Sequence, residues 1–477
     1  MDRSLTWGYI EATLEEDNKV QVTDVLHEVS DELDFRDRVV NMSLGYNFLV
    51  VTTTVQCYIY NVMNWDAPIT FDIKETVTLI VQGSKYFCLV DLSNGLMIYN
   101  YTGALMSSPK YSGLRVEFLN KRYITLSADV ISILDTSNPK IIRSFDITSG
   151  KPAVVNIEHG LEITELMLNQ TENPSERKVA FVDANKDLFI SPVHKPEVTK
   201  ISSMVDSFMW NERNDILACV ADGRFIAWLF PNGIYIDRDL LEQAKVVRDV
   251  HDLGKNPQII CFTSSLIQLR RSDGALAALA SLSNASNYLL SQFYIDLLHE
   301  QYEKAKWEKA ITLCRFIKEP TLWACLAIMS ISARELNTAE IALAAIDEAD
   351  KVQYINYVKE LPSDASRNAA LAQYCKKNSE AENILLQGKL FYRAIKMNIK
   401  LFKWERALEI AVHNKTHVDT VLAYRQRYLQ QQGKKESNEK FLQLGEKVEI
   451  NWETIKEKIK KDKEGEAKAS GVAYKNE

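Results

Sequence analysis

Apolar positions follow two rhythms along this chain. Before about Asn287 they form short runs broken by polar turns. Phe48-Leu49-Val50-Val51 is followed by Val55-Gln56-Cys57-Tyr58-Ile59-Tyr60, and Phe87-Cys88-Leu89-Val90 is joined through Asn94-Gly95 to Leu96-Met97-Ile98-Tyr99. Such pairs predict β-hairpins. Beyond Asn287 the spacing turns helical, beginning with Leu289, Leu290, Phe293, Leu297 and Leu298 on one face. Turn residues divide in the same place: 12 of the 17 glycines and 9 of the 11 prolines precede residue 285, whereas residues 286 to 430 hold only Gly388, Pro320 and Pro362. Turns use these residues, and long helices exclude them.

The hairpins recur. Taking Leu49, Cys88, Ile124, Ala180, Ala218 and Ile260 as equivalent positions gives steps of 39, 36, 56, 38 and 42 residues, the period of propeller blades. The long step contains the polar stretch Asn169-Gln170-Thr171-Glu172-Asn173-Pro174-Ser175, expected to be an extended loop with an added strand; one extra hairpin also fits. The clearest blade runs from Val205 to Trp228. One strand ends at Met209-Trp210, Ile216 to Val220 form a second, Asp222-Gly223 turn, and Phe225-Ile226-Ala227-Trp228 form a third. This stretch resembles a degenerate WD40 repeat. Its Gly-His signature is absent, His159-Gly160 standing in reverse order, so the period weighs more than the motif. The alternative is a stack of unrelated hairpins or a β-sandwich.

In the second half, Lys306-Trp307-Glu308-Lys309-Ala310-Ile311 returns as Lys403-Trp404-Glu405-Arg406-Ala407-Leu408. Weaker echoes are Leu390-Phe391-Tyr392-Arg393-Ala394-Ile395 and Leu336-Asn337-Thr338-Ala339-Glu340-Ile341. A bulky residue three before a small one lets a large side chain sit where the neighbouring helix approaches an alanine, the packing logic of tetratricopeptide-like solenoids. On this reading Trp307, Trp323 and Trp404, like Trp210 and Trp228 in the blades, are structural rather than ligand-binding. The predicted fold is therefore a β-propeller of degenerate WD40 blades over 1-285, a TPR-like α-solenoid over 286-430, and a polar charged helix with a mobile tail over 431-477. In that last part Trp452, Ile455 and Ile459 could dock one helix face, either on the chain or on a partner, while residues 464 to 477 are expected to be mobile.

Composition narrows the chemistry. An apolar content of 46% and a charged content of 25% over 477 residues are ordinary for folded domains with sizeable cores. No apolar run reaches the length of a membrane-spanning helix, so direct membrane insertion is not expected. The start, Met1 to Trp7, lacks the pattern of a secretory signal, so no export is expected. Seven cysteines stand singly among apolar neighbours and read as reduced core thiols. A net charge of -7 argues against nucleic acid as the main partner. No catalytic constellation assembles. Ser149-Gly150-Lys151 ends like a phosphate loop, but Phe145 and Pro152 occupy positions that need glycine and a hydroxyl. His413 and His417 stand four apart without a third ligand. The acidic stretch Asp237-Arg238-Asp239 is expected to be solvated rather than to hold a cation. Neither a metal nor a cofactor is predicted, and an enzyme with its site in a propeller channel would need ligand clusters that the sequence does not show.

Several longer strings go beyond a class. They are Tyr235 to Leu240, Leu313-Cys314-Arg315-Phe316-Ile317, Thr321 to Leu326, Asp350 to Asn356 and, most specifically, Lys415-Thr416-His417-Val418-Asp419-Thr420-Val421-Leu422-Ala423-Tyr424-Arg425-Gln426. With them the chain resembles the WD-repeat subunit family of about eighty kilodaltons in intraflagellar transport complex B, from about residue 20 to about residue 460. The resemblance implies two tandem propellers before the helices. This chain is expected to begin at the second, as a short isoform, an incomplete gene model or an engineered fragment would. It also implies a non-catalytic scaffold that helps build the trains carried by kinesin and dynein, in the cilium (axoneme and basal body) and the cytoplasm. Other complex B subunits would be direct partners and the motors indirect ones, with self-association left open. The contacts are expected on the loop holding Asn169 and Glu172 and on the helix holding His417, Asp419, Arg425 and Arg427. A vesicle-coat or nuclear-pore scaffold shares the architecture and is the alternative.

Overall fold

The structure is a computed structural model that describes residues 3–250, 257–263, 266–271, 274, 276–279 and 294–471. The helical onset read at Leu289 to Phe293 lies outside the described residues, as does the tail beyond Gly471. The chain forms two compact units: Met1–Ile234 with Leu241–Cys325, and Tyr235–Leu240 with Leu326–Glu477.

Among the described residues the first unit holds seven antiparallel sheets. Sheet one is β1 (Ser4–Trp7), β2 (Ile10–Glu16), β3 (Lys19–Asp24) and β4 (Val29–Asp34); sheet two is β5 (Val39–Gly45), β6 (Phe48–Thr53), β7 (Gln56–Asn61) and β8 (Asn64–Asp72). Sheet three is β9 (Val77–Gln82), β10 (Tyr86–Asp91), β11 (Gly95–Asn100) and β12 (Leu105–Ser107); sheet four is β13 (Ile124–Leu126), β14 (Val130–Leu134), β15 (Ile141–Asp146) and β16 (Ile157–Glu158). Sheet five is β17 (Ile163–Leu168), β18 (Lys178–Asp183), β19 (Leu188–Pro192) and β20 (Thr199–Ser202); sheet six is β21 (Val205–Trp210), β22 (Leu217–Ala221), β23 (Arg224–Trp228) and β24 (Lys245–Asp249). The described part of sheet seven is β25 (Gln258–Thr263), β26 (Leu266–Arg270) and β27 (Leu276–Leu279).

The first strands of successive sheets lie side by side around a ring, and β25 returns to lie beside β1. This is a closed propeller, an arrangement that leaves only the short outer strand of each blade as an edge. Burial is deepest in the second strand of most blades and least in the outer ones. Strands β6, β14, β18 and β22 are almost wholly buried, while β4 is polar and exposed. Pro68 sits in the outermost strand β8, where a missing N–H breaks no ladder. The Asp222-Gly223 turn joins β22 to β23 with φ of 50° and 69°, the left-handed pair of a type I′ hairpin turn.

Leu49, Cys88, Ala180 and Ala218 do occupy second strands, but Ile124 and Ile260 occupy the first strands β13 and β25. The 56-residue step therefore mixes two strand positions. No strand or hairpin is added after Asn169; the loop holds only a short 3-10 turn, Pro174–Glu176. Sheet one precedes the counted positions altogether. The Trp65-Asp66 dipeptide lies on the outer strand β8, so it does not mark a blade end.

The ring is completed by residues far apart in sequence. Trp7 Nε1 donates to Glu212 Oε1 at 2.6 Å, Gly8 N to Cys261 Sγ at 3.4 Å, and Gln268 Nε2 to Gly8 O at 2.7 Å. Burial pushes the Glu212 carboxyl up to about 7, with the Trp7 hydrogen bond opposing.

In the second unit, α5 (Leu336–Ala345), α6 (Ala349–Glu360), α7 (Asp364–Tyr374), α8 (Asn378–Gln387), α9 (Phe391–Lys400), α10 (Trp404–His413) and α11 (Val418–Gln431) pack on their sequence neighbours. Then follow α12 (Glu439–Gly445) and α13 (Trp452–Ala469). One turn recurs between the helices: a left-handed residue, as at Asp347, Lys376, Lys389 and Phe402, then an N-cap near φ −90° and ψ 60°. The repeated motif is the start of a helix. Leu336, Phe391 and Trp404 are first helical residues, and Ala339, Ala394 and Ala407, three further on, have no exposed surface. Trp307 and Ala310 stand in the same relation in α3 (Trp307–Ile317), in the first unit. Alanine permits close approach of the next helix there. Trp210 and Trp228 are buried in the blades, while Trp323 and Trp404 are nearly so.

The closure at Glu212 predicts a pH dependence. Its folded pKa lies above the unfolded value of 4.5, so its proton binding favours the fold below that value, and this stabilisation is lost as pH rises through about 7. Glu212→Gln is expected to raise the thermal midpoint at pH 8 relative to the native chain and to leave it little changed at pH 5. Melts of both proteins across that range check it; parallel curves would contradict it.

Candidate protein-interaction surfaces

The loop between β17 and β18 is held from below by a buried polar network. Asn169 has no exposed surface; its Nδ2 donates to Glu176 O at 3.0 Å and to Asp215 Oδ1 at 3.2 Å, and its Oδ1 accepts from Lys178 N at 2.9 Å. The Arg177 guanidinium donates to Asp129 at 2.7 Å, to Asn169 O at 2.5 Å and to Thr171 O at 2.7 Å. Burial draws its pKa down, with Asp129 opposing. Lys178 Nζ lies 2.6 Å from Asp215 Oδ2 and donates to Asn232 Oδ1 at 2.8 Å. Both side chains of that ion pair are almost fully buried. Hydrogen bonds satisfying every member are what make such a buried pair tolerable. The consequence is a stiff loop whose outer residues, Glu172, Asn173, Pro174 and Ser175, face solvent.

The α11 residues divide likewise. His417, at the N-cap with φ 58° and ψ 22°, is buried; Nε2 lies 2.6 Å from Asp462 Oδ2, and Nδ1 is hydrogen-bonded to Thr420 Oγ1 at 2.9 Å. Asp419 is buried and pairs with Lys458 at 2.6 Å. Arg425 forms a two-pronged pair with Glu436, at 2.9 and 3.3 Å, and its guanidinium lies 5.5 Å from the ring centres of both Trp404 and Phe441. Arg427 is exposed, with its guanidinium 6.0 Å from the Trp452 ring centre. Of the six residues singled out in the sequence, Asn169, His417, Asp419 and Arg425 thus position their elements, while Glu172 and Arg427 stand at the surface. Arg177, Lys178 and Asp215 carry as much of the loop geometry and were missed. Their signal, adjacent cations inside an apolar strand, was present at Arg177-Lys178-Val179-Ala180.

The charged C-terminal stretch is integrated as well. In α13, Ile455 is buried, Trp452 meets Tyr424 edge-on with ring centres 5.4 Å apart, and Glu466 accepts from Arg393 at 2.5 Å and Ser363 at 2.6 Å. The helix runs to Ala469, further than its polar pattern suggests, because Glu466 and Ala467 are buried. Asp237 is not solvated as expected: Tyr374 donates to it at 2.6 Å and Lys351 lies 3.0 Å away. Burial works to raise its pKa, but these two partners hold it below the usual carboxylate value.

The concave features are open clefts. One of about 790 Å³ is lined by Leu386, Leu408, Ile410, Val412 and Leu444, and one of about 480 Å³ by Leu422, Leu429, Phe441 and Ile450. Among the described residues no three His, Cys, Asp or Glu side chains are grouped to hold a metal ion, and no helix is long and apolar enough to cross a membrane. Burial pushes the thiols of Cys88, Cys219 and Cys314 up to about 12, outside the range of a ready nucleophile.

A closed propeller followed by paired, tightly turned helices defines a propeller and TPR-like class of protein that presents loops and helix faces. The family described as IFT80 second beta-propeller matches residues 2–283, and the IFT80/172/WDR35/WDR19 TPR domain matches residues 322–468. The chain belongs to the IFT80 family, as the resemblance of the Lys415 to Gln426 string implied. It is 43% identical over 479 residues to the "Intraflagellar transport protein 80 homolog" of Rattus norvegicus, covering 98% of this chain and 60% of that protein. The Mus musculus homologue gives the same identity and coverage. The chain thus spans 60% of the length of the curated relatives it matches. Among solved structures, a chain in the crystal structure of the mitotic checkpoint complex aligns with TM-score 0.40 and 12% identity, covering 59% of this chain and 92% of that one.

The buried pair beneath the loop is testable. Asp215→Asn leaves the Lys178 ammonium without its carboxylate, and the expected loss is about 3–5 kcal/mol in denaturant unfolding. Replacing both partners with apolar residues of similar volume should recover much of that loss. An Asp215→Asn protein as stable as the native one would contradict the assignment.

Proposed function

We propose that this chain is a non-catalytic scaffold subunit of intraflagellar transport complex B that supports train assembly, axonemal cargo transport and cilium assembly. The observation that supports this most is the collinear family match through both the propeller and the helical repeats. On this reading other complex B subunits are its direct partners, kinesin and dynein its indirect ones, and the axoneme, basal body and cytoplasm its places of work. The physical character of its surfaces agrees. Broad, stiff loops and helix faces suit docking, which draws on many contacts over a large area, better than enclosure of a small substrate.

Glu172 on the propeller loop and Arg427 on α11 are proposed as exposed contact residues. Their reversal changes surface charge with little cost to the fold, because exposed charges contribute roughly 0–1 kcal/mol. Glu172→Lys combined with Arg427→Glu is expected to reduce recovery of complex B subunits with the tagged chain from ciliated cells by about tenfold, on the order of 1.4 kcal/mol. The circular dichroism melt should be unchanged. Full recovery with the double variant would remove these two residues from the contact surface.

A further inference from the structure

We propose that residues 433–450, which carry α12, form a releasable strap latched by Arg425, able to lift from the helical unit while α10, α11 and α13 stay folded. The strap is thinly packed. The seven residues of α12 bury one side chain, Phe441, while Leu442 on the same helix is 48% exposed. Clefts flank it on both sides: about 790 Å³ toward α8 and α10, where Lys440, Gln443 and Leu444 form one wall, and about 480 Å³ toward α11, where Phe441, Leu442 and Gly445 do. An element flanked by open clefts and with few buried side chains opens at low free energy.

The strap has a hinge and a latch. Just beyond the end of α11 at Gln431, Gly433 adopts φ 64° and has no atom within 4 Å of the place a Cβ would occupy, so the backbone turns there without a side chain to hold it. Arg425 then grips the strap twice. It forms the fork to Glu436, and it places its guanidinium over the Phe441 ring at 5.5 Å, while Trp404 backs it at the same distance. Further polar ties join Asn438 Nδ2 to Glu405 at 2.9 Å and Lys434 N to Leu429 O at 3.0 Å. A cation near two aromatic rings and paired with a carboxylate makes this side chain the main polar contact of an attachment whose remainder is the partly buried packing of Leu444, Val448 and Ile450.

The helix beyond the strap is anchored without it. α13 is tied to α11 through Lys458 to Asp419, Asp462 to His417 and Trp452 to Tyr424, and to Ser363 and Arg393 through Glu466. The strap is therefore a loop between two fixed points. Lifting it opens the apolar cluster of Trp404, Leu408 and Leu422, to which the strap contributes the buried Phe441 and the partly buried Leu444, Val448 and Ile450.

Hydrogen exchange of the full chain, read by mass spectrometry, tests this. Peptides within 436–448 are expected to exchange far sooner than those of α10. Arg425→Gln should raise their exchange about tenfold or more through local opening, leaving α9, α10 and α13 peptides unchanged. Glu436→Gln, which removes one prong at a site remote from the core, should give a smaller rise confined to the same peptides. Strap peptides as protected as α10, or variants that raise exchange evenly through α9 to α13, would overturn the proposal.

Discussion

Among the described residues the blades of this propeller share no backbone hydrogen-bond ladder, so the ring depends on single bonds between them, some from backbone, as Val39 N to Asp17 O and Glu212 N to Phe262 O, and many from side chains. Asn41 reaches Thr78 O, and Gln82 reaches Gly45 O and Phe48 O between the second and third sheets. Leu168 N donates to Thr125, and Gln170 to Leu126 O, between the fourth and fifth. Trp210 Nε1 donates to Met167 O, Ile259 N to Ser207, and Gly8 N to Cys261 around the remainder. Between the third and fourth, Gly83 serves by having no side chain, since a Cβ there would lie 3.1 Å from Leu126 O. Each stitch is modest, roughly 0.5–1.5 kcal/mol net, but the buried ones, such as Gln170 to Leu126 O, pair polar groups that would otherwise be buried alone. The ring holds the loops at fixed separations, and the buried network beneath Asn169 braces that loop from within.

The helical unit meets a comparable constraint by different means. Its turns at Asp347, Lys376, Lys389, Phe402 and Lys415 are too short for slack, and each uses a left-handed residue that is not glycine. Alanines at the fourth helical position admit the neighbouring helix, while a bulky first residue fills the corner beside it. This arrangement repeats with different residues, which is why the Trp-to-Ala spacing is visible while the repeat length is irregular.

Much of this was legible in the sequence because the signals are local. Alternation and the Asp222-Gly223 turn locate the sixth sheet nearly to the residue, and Trp404 with Ala407 marks a helix start. Sheet one was not legible. Its outer strand, Val29-Ser30-Asp31-Glu32-Leu33-Asp34, is polar and exposed, and a strand held by its neighbour's backbone needs no apolar pattern of its own. Ile124 was assigned to the wrong strand because short buried strands on either side of a turn read alike. The surface residues fared least well. His417 and Asp419 read as exposed polar positions, yet Asp462 and Lys458, about forty residues later, bury them; no local pattern carries that pairing.

Under the proposed function, the ordered loops and helix faces of this chain serve association rather than reaction. The most direct test is to follow a fluorescently tagged version of these 477 residues in ciliated cells that lack the full-length relative. A scaffold built into moving trains should appear as discrete particles that travel processively in both directions along the axoneme. Uniform diffusion of a properly folded chain through cytoplasm and cilium would contradict that role.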